Sequence, residues 1–163
     1  MKISGHAAII TGGGGGLGAG TAKALASAGA KVSLLDVDMY KAKLVAQEIG
    51  GIAIECDVSD GQSGENAIAL ASKQHGPARI LVNCAGIAPA ERIVGRSGAM
   101  PLDNFRKVIE INLIGSFNLM RLAAAEMMDL EPLEDNERGV IISTASVAAF
   151  EGQLGQAAYG ASK

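Results

Sequence analysis

The sequence predicts an α/β fold, a doubly wound parallel sheet with helices on both faces. Short apolar runs alternate along the chain with segments of helical periodicity, and five consecutive glycines separate the first apolar run from the first helix. Such alternation indicates right-handed βαβ units, whose strands are buried on both faces. A glycine turn between the first strand and its helix is typical of the doubly wound class.

Each element has its own local justification. The predicted strands are short and apolar, and they cover residues 6–11, 31–35, 52–56, 79–82 and 139–144. The predicted helices cover residues 17–28, 38–49, 62–75, 102–128 (one long helix or a broken pair) and 156–163. Asp38 is a favourable N-cap for the second helix, and glycines 50 and 51 end it. Residues 88–99 are expected to be irregular, and residues 131–138 form an acidic loop.

Composition limits the classes of protein that need to be considered. A length of 163 residues predicts one domain covering residues 1–163, and a hydrophobic content of 48% excludes a disordered chain. The net charge of -3 offers no basic footprint for nucleic acid, and no uninterrupted apolar run suggests a membrane partner. Two cysteines without metal-type spacing predict no metal site and a reducing, cytoplasmic location.

The glycine turn, residues 11–18, predicts a binding site for a dinucleotide. Glycine lets a pyrophosphate approach the backbone, and the N-terminus of the following helix supplies free amides and partial positive charge. Two patterns fit this turn: G-x-G-x-x-G at Gly13, Gly15 and Gly18, and T-G-x-x-x-G-x-G at Thr11, Gly12, Gly16 and Gly18. The predicted contacts to the cofactor from this turn are Gly12, Gly15, Gly16, Leu17 and Gly18.

Carboxylates at the ends of the next two strands predict the adenosine site. Asp36 ends the second strand, where a carboxylate accepts hydrogen bonds from ribose hydroxyls and repels a 2′-phosphate. The glycine turn carries no cation to offset that repulsion, so NAD is predicted rather than NADP. Asp57 and Val58 end the third strand at the same edge and are expected beside the adenine, although either aspartate could simply begin a turn.

Tyr159 and Lys163 form a candidate catalytic pair. Their i, i+4 spacing puts them one helical turn apart on the same face, and an ammonium beside a phenol stabilises the phenolate. Tyr159 is therefore a candidate acid/base. Ser146 follows the fifth strand, where it could donate a hydrogen bond to a substrate carbonyl beside the tyrosine. Neither histidine falls at that edge of the sheet, which disfavours a Ser–His–Asp hydrolase.

Asn112 interrupts the apolar stretch 108–114 within the long predicted helix. A polar amide inside a helix needs a hydrogen-bond partner. Two interpretations stay open: a satisfied core amide, or a link that holds water in a proton relay.

Together these motifs resemble the short-chain dehydrogenase/reductase family in order and spacing over the whole chain. The resemblance rests on the T-G-x-x-x-G-x-G turn, residues 83–86 (NCAG), Asn112, Ser146 and the Y-x-x-x-K pair. It implies that Tyr159 is the acid/base, Lys163 stabilises its phenolate and holds the nicotinamide ribose, Ser146 positions the carbonyl, and Asn112 supports the relay. It also implies that the cofactor is lined by Asn83, Cys84, Ala85, Gly86, Tyr159 and Lys163.

Residues 83–88, 138–142 and 145–153 are similar to one subgroup of this family, the NAD-dependent dehydrogenases of 3-hydroxyacyl-CoA thioesters. That similarity implies an acyl-CoA substrate, a place in fatty acid metabolism and a homotetramer. Family members continue well beyond the position of Lys163, so the chain is expected to be the N-terminal portion of a longer enzyme that lacks its C-terminal part. Alone, it is expected to be neither active nor stably monomeric.

Two alternatives to this function stay open. The first is another enzyme of the same family, such as a 3-oxoacyl-thioester reductase or a hydroxysteroid or sugar dehydrogenase, which cofactor preference would distinguish. The second is a dinucleotide-binding module without catalysis, which a hydride-transfer assay would distinguish.

Overall fold

The computed structural model describes residues 1–163. The chain forms, in order, β1 (Ala7–Thr11), α1 (Gly16–Ser27), β2 (Lys31–Asp36), α2 (Met39–Ile49), β3 (Ile52–Glu55), α3 (Gly61–His75), β4 (Ile80–Asn83), β5 (Val94–Gly95), β6 (Gly98–Ala99), α4 (Leu102–Ile109), a π-helical turn (Glu110–Ile114), α5 (Gly115–Met128), β7 (Val140–Ser143), a 3₁₀ turn (Val147–Ala149) and α6 (Ala157–Ser162). The predicted strands and helices are all present, with ends that differ by one or two residues.

The main sheet is parallel and five-stranded, in the order β3-β2-β1-β4-β7. β1 lies at its centre: Ala8 pairs with Val32 of β2 on one side and with Ile80 of β4 on the other. The chain thus moves outward to one side of β1 and then crosses to the other. The predicted Rossmann-type, doubly wound sheet is confirmed.

Alternating residues of the central strand point into two separate cores. Ile9 packs in the core that holds Leu119 of α5, whereas Ile10 packs with Ala22 of α1 on the opposite face. The alternation follows from strand geometry, in which successive side chains point to opposite faces. Alanine is frequent among the buried residues, so the helices can approach the sheet closely.

The predicted long helix is continuous from Leu102 to Met128, but one π-helical turn interrupts its α-helical geometry around Asn112. A π turn inserts one extra residue into the helical ladder and often marks a functional site. Length and a mean hydropathy of 1.3 would allow this helix to cross a membrane, although a single helix of this kind is weak evidence. Its buried side chains, such as Leu119, pack in the core against the sheet.

One prediction for an irregular segment was wrong in detail. Residues 88–99 contain a small antiparallel hairpin, β5 and β6, in which Val94 pairs with Ala99. The turn between the two strands ends at Gly98, whose φ of +109° favours glycine. The hairpin strands are two residues long, which is too short for a periodic sequence signal.

Candidate functional site

A cleft of about 650 Å³ lies at the carboxyl edge of the sheet. Its walls are the turns that follow the first four strands, together with one side of the long helix. The residues that line it are Gly12, Gly15, Gly16, Leu17, Gly18, Leu35, Asp36, Val37, Cys56, Asp57, Val58, Cys84, Ala85, Gly86, Ile87, Lys107 and Ile111. Eleven of the predicted cofactor-binding residues are therefore brought together in one cavity.

Close backbone contacts require glycine at two positions of the turn. Gly12 has a φ of +64°, and a Cβ there would lie 2.9 Å from the backbone of Ala85. A Cβ on Gly18 would lie 2.1 Å from the carbonyl oxygen of Gly12, because the first turn of α1 packs directly on the loop. Gly12 and Gly18 are thus required by the backbone, as the T-G-x-x-x-G-x-G pattern expects.

The N-terminus of α1 opens into this cleft. Its N-cap, Gly15, has no side chain to bond the first amides, and the N–H groups of Gly16, Leu17 and Gly18 bond to no other residue. A Cβ on Gly15 or Gly16 would meet nothing within 4 Å, so this end of the helix faces open space. Unpaired amides, helix-dipole charge and a bare backbone together suit a pyrophosphate.

Asp36 is held rigidly at the end of β2. Its Oδ2 accepts a hydrogen bond from the amide of Gly14 and its Oδ1 accepts one from the amide of Asp38, both at 2.9 Å. These bonds orient the carboxylate, and each oxygen keeps a further lone pair for a ligand. The carboxylate is thus preorganised to accept a pair of neighbouring hydroxyl groups.

Asp57 and Val58 form the cleft wall that follows β3. The Oδ1 of Asp57 accepts hydrogen bonds from the amide and the hydroxyl of Ser59 at 2.9 and 2.6 Å, which fixes a tight turn. Val58 is buried and lies close to Gly115: a Cβ on Gly115 would be 2.5 Å from the Cγ2 of Val58. Asp57 therefore shapes the turn, and Val58 supplies an apolar surface of the kind that an adenine ring requires.

The segment after β4 is tied to the glycine turn by Thr11. The Thr11 hydroxyl accepts hydrogen bonds from the amides of Cys84 and Ala85, both at 3.1 Å. Cys84, Ala85 and Gly86 consequently line the cleft. Asn83, also predicted to bind the cofactor, is instead buried beneath the cleft, outside its lining.

Tyr159 and Lys163, also predicted to bind the cofactor, lie outside the set of residues that line the cleft. The Lys163 ammonium is 5.7 Å from the centre of the Tyr159 ring and donates a hydrogen bond of 3.0 Å to the carbonyl oxygen of Thr144. It is also 3.9 Å from the position that a Cβ on Gly86 would occupy. The ammonium therefore lies close to the Tyr159 ring, and it approaches the cleft beside Gly86.

Ser146 lies three residues after β7, close in sequence to the threonine that holds Lys163. Its Oγ accepts a hydrogen bond of 3.2 Å from the amide of Ala148 and so caps the 3₁₀ turn. The hydroxyl proton stays free to be donated, because only a lone pair is used. Ser146 makes no hydrogen bond to Tyr159.

Asn112 joins three segments of the chain at the π-helical turn. Its Oδ1 accepts a hydrogen bond from the amide of Ile87 at 2.8 Å, and its Nδ2 donates to the Ile87 carbonyl and to the Ser162 hydroxyl, each at 2.9 Å. The side-chain amide is thus fully used in holding the cofactor wall against α6. Of the two interpretations above, this arrangement fits the satisfied amide, and the Asn112 side chain makes no hydrogen bond to Tyr159 or Lys163.

Sequence reasoning missed several residues of the cleft. Leu35, Val37, Cys56 and Ile87 are neighbours of predicted residues and could have been added from the strand ends. Lys107 and Ile111 lie on the long helix, where the only available signal was their position five residues and one residue before Asn112, respectively. Lys107 is the single cation of the lining.

The chain matches known proteins along its whole length. The sequence profile of a family described as short chain dehydrogenase matches residues 6–163. The chain is 46% identical over 166 residues to the 3-hydroxyacyl-CoA dehydrogenase type-2 of Bos taurus, and 44% identical to that of Homo sapiens. Both matches cover 99% of this chain but 64% of the relative, so the chain spans less than two thirds of the length of these relatives.

A solved structure agrees with these matches. The crystal structure of a 3-hydroxyacyl-CoA dehydrogenase type-2 from Mycobacterium avium superposes with a TM-score of 0.92 at 39% identity. The match covers 100% of this chain and 66% of that protein.

Proposed function

Because this chain belongs to the short-chain dehydrogenase family, we propose that it carries the cofactor site and the catalytic residues of an NAD-dependent oxidoreductase. The reaction is the interconversion of a secondary alcohol and a ketone, with a 3-hydroxyacyl-CoA thioester as substrate. One observation carries the proposal: the Lys163 ammonium lies beside the Tyr159 ring and approaches Gly86, which lines the same cleft as Asp36.

The cleft fits a nicotinamide dinucleotide in its shape and in its donor groups. The free amides of Gly16 and Leu17 would bind the pyrophosphate, and Asp36 would accept the hydroxyls of the adenosine ribose. Val58 would cover the adenine, and Cys84 to Gly86 would line the nicotinamide half. When bound, such a cofactor supplies a nicotinamide ring that accepts or gives a hydride.

Preference for NAD over NADP follows from the fixed carboxylate at Asp36. The amides of Gly14 and Asp38 hold it at the end of β2, so it cannot turn away from a 2′-phosphate. Two negative groups in that position would repel each other. Lys107, the cation of the cleft, lies on α4 rather than in the glycine turn.

Tyr159, Lys163 and Ser146 would handle the proton and the substrate oxygen. In the oxidation direction, the Tyr159 phenolate would take the hydroxyl proton of the substrate. The Lys163 ammonium stabilises that phenolate, and the Thr144 carbonyl holds the ammonium in place. The Ser146 hydroxyl would donate a hydrogen bond to the carbonyl oxygen as it forms.

The substrate class rests on the relatives. The bovine, human and mycobacterial proteins are all named 3-hydroxyacyl-CoA dehydrogenase type-2, and the first two are 44–46% identical to this chain. We therefore assign an acyl-CoA thioester as the small-molecule substrate and a role in fatty acid metabolism.

A homo-oligomer, specifically a tetramer, is part of the same proposal. Leu113, Ile114 and Phe117 leave about half or more of their surface exposed on consecutive turns of the long helix. An apolar stripe of this kind suits a contact with another subunit.

Two unpaired cysteines, Cys56 and Cys84, suit a reducing compartment, and we assign the cytoplasm.

Replacing Tyr159 with phenylalanine tests the function. In the full-length gene product, Tyr159→Phe should lower NAD-dependent oxidation of 3-hydroxybutyryl-CoA by about 100-fold or more, the usual size of an acid/base contribution. NAD binding should change little, because the phenol holds no phosphate. Tyr40→Phe, at an exposed tyrosine on α2, is the matched control. Activity that survives in Tyr159→Phe, or an unaltered protein that turns over no hydroxyacyl-CoA, would contradict the proposal.

A further inference from the structure

Beside Asp36, the structure holds a second carboxylate and a cation that the proposed function does not use. Asp38 is the N-cap of α2, and its Oδ1 accepts a hydrogen bond of 3.1 Å from the amide of Lys41. Its Oδ2 lies 2.8 Å from the Lys41 ammonium. Both ends of Lys41 are therefore bound to the same carboxylate, which folds the long side chain back onto the helix N-terminus.

Lys41 and Asp36 border the same small space next to the glycine turn. A Cβ on Gly14 would lie 3.0 Å from the Cβ of Lys41 and 3.1 Å from the Oδ2 of Asp36. The pKa of Lys41 is raised chiefly by the hydrogen bond and charge of Asp38, and also by the charge of Asp36. The cation thus lies within the electrostatic reach of the carboxylate that would receive the adenosine ribose.

We propose that Asp38 is a specificity-determining residue, which withholds the Lys41 ammonium from the ribose 2′ position beside Asp36 and so favours a 2′-hydroxyl over a 2′-phosphate. The inference rests on the proposed function, since it requires a dinucleotide whose adenosine ribose lies at Asp36. Two carboxylates would then act against a 2′-phosphate. Asp36 repels it directly, and Asp38 binds the Lys41 ammonium that would otherwise attract it.

Exposure of the pair supports a role in selection rather than in stability. The side chains of Lys41 and Asp38 are 63% and 41% exposed. Exposed ion pairs contribute little to folding, so the pair can open without loss of structure. A lysine on a flexible four-carbon stem, once released, can turn toward a phosphate placed next to Gly14.

The test is Asp38→Asn, in which asparagine keeps the N-cap hydrogen bond and removes the charge. Dissociation constants for NAD and NADP would be measured by calorimetric titration of the unaltered protein and the variant. We expect the preference for NAD over NADP to fall about tenfold, the size of one charge-assisted hydrogen bond, with NAD affinity nearly unchanged. The effect should shrink in high salt, because exposed charges are screened.

Two further variants isolate the cation. Asp38→Asn combined with Lys41→Met should return the preference to its original value, because the ammonium is absent. Glu48 of α2 forms an exposed ion pair with Lys23 of α1. Glu48→Gln removes an equivalent charge from that pair and should leave the preference for NAD unchanged. An unchanged preference in Asp38→Asn, or a gain in NADP binding that survives Lys41→Met, would overturn the inference. An unaltered protein that binds neither nucleotide would instead contradict the proposed function itself.

Discussion

The Asn112 side chain donates a hydrogen bond of 2.9 Å to the hydroxyl of Ser162, inside a buried contact between the long helix and α6. Ser162 in turn donates to the carbonyl oxygen of Tyr159 at 2.8 Å. Because the other side of Asn112 bonds to Ile87, this contact links the cofactor wall to the helix that carries Tyr159 and Lys163. α6 has six residues and packs on α4, the π turn and the 3₁₀ turn.

Ser162→Ala should therefore lower kcat more than a variant that loses the same folding free energy elsewhere in the protein. The variant leaves one buried N–H of Asn112 unpaired, which costs about 1–3 kcal/mol of folding free energy. We also expect kcat to fall about tenfold, because displacement of reacting groups is costly to the rate. Urea unfolding and the hydroxyacyl-CoA assay measure the two effects.

The matched control for that change is Ser116→Ala. The Ser116 hydroxyl donates to the Asn112 carbonyl oxygen at 2.7 Å and is not bonded to α6. This variant should lose stability without the same loss of kcat. If the two variants lose kcat equally for equal loss of stability, Ser162 has a structural role only.

Most of the fold could be predicted because its signals are local. Apolar runs such as residues 31–35, glycine stops such as Gly50 and the N-cap at Asp38 mark element ends directly. The π turn around Asn112 carries no such signal, since it reflects packing of the helix against Ile87 and Ser162. The hairpin between residues 94 and 99 was missed because its strands, of two residues each, are too short to show alternation.

The candidate site could be predicted where it depends on strand ends. Asp36, Val58 and Gly86 all follow parallel strands, so topology alone brings them to one edge. The sequence does not determine the direction of each side chain. Asn83 also lies at the end of a parallel strand, yet it is buried beneath the cleft, outside its lining. The partners of Asn112 and the closed pair between Asp38 and Lys41 also required coordinates, because each depends on a rotamer.

Asp36→Asn should weaken NAD binding and reduce discrimination against NADP. Asparagine has a single acceptor oxygen, so it can keep the hydrogen bond from only one of the two amides, those of Gly14 and Asp38, and the turn also loses one bond. Loss of the charge-assisted bonds to the ribose should cost NAD about 1–3 kcal/mol of binding free energy. Calorimetric titration with both nucleotides measures the change, and equal affinities of the unaltered protein for NAD and NADP would contradict the role given to Asp36.

Gly18→Ala should prevent the glycine turn from forming. The added methyl group would lie 2.1 Å from the Gly12 carbonyl oxygen, a backbone atom that cannot move without displacing the loop. We expect a loss of several kcal/mol of folding free energy, or no soluble protein, as for other severe clashes in a tight backbone contact.

Gly20→Ala, two residues farther along α1, is the control for Gly18→Ala. A Cβ on Gly20 would meet nothing within 4 Å, and alanine is favoured over glycine inside a helix by about 0.5–1 kcal/mol. Gly20→Ala should therefore stabilise the protein slightly in thermal unfolding. Similar melting temperatures for Gly18→Ala and Gly20→Ala would show that the close approach is not required.

Cys84 should report occupancy of the cleft through its reaction with iodoacetamide. Burial raises the pKa of the Cys84 thiol above its usual value of 9.0, although Thr21 and the Lys163 charge partly offset this shift. Because the thiolate is the reactive form, labelling should be slow near pH 7 and should accelerate as the pH rises toward the raised pKa. Bound NAD should slow it further, since Cys84 lines the cleft.

Cys56 is the internal control: burial raises its pKa to about 11, and it is 2% exposed, so it should react last at every pH. Mass spectrometry of each cysteine-containing peptide gives both rates, and a Cys84 rate that does not respond to saturating NAD would place the cofactor elsewhere.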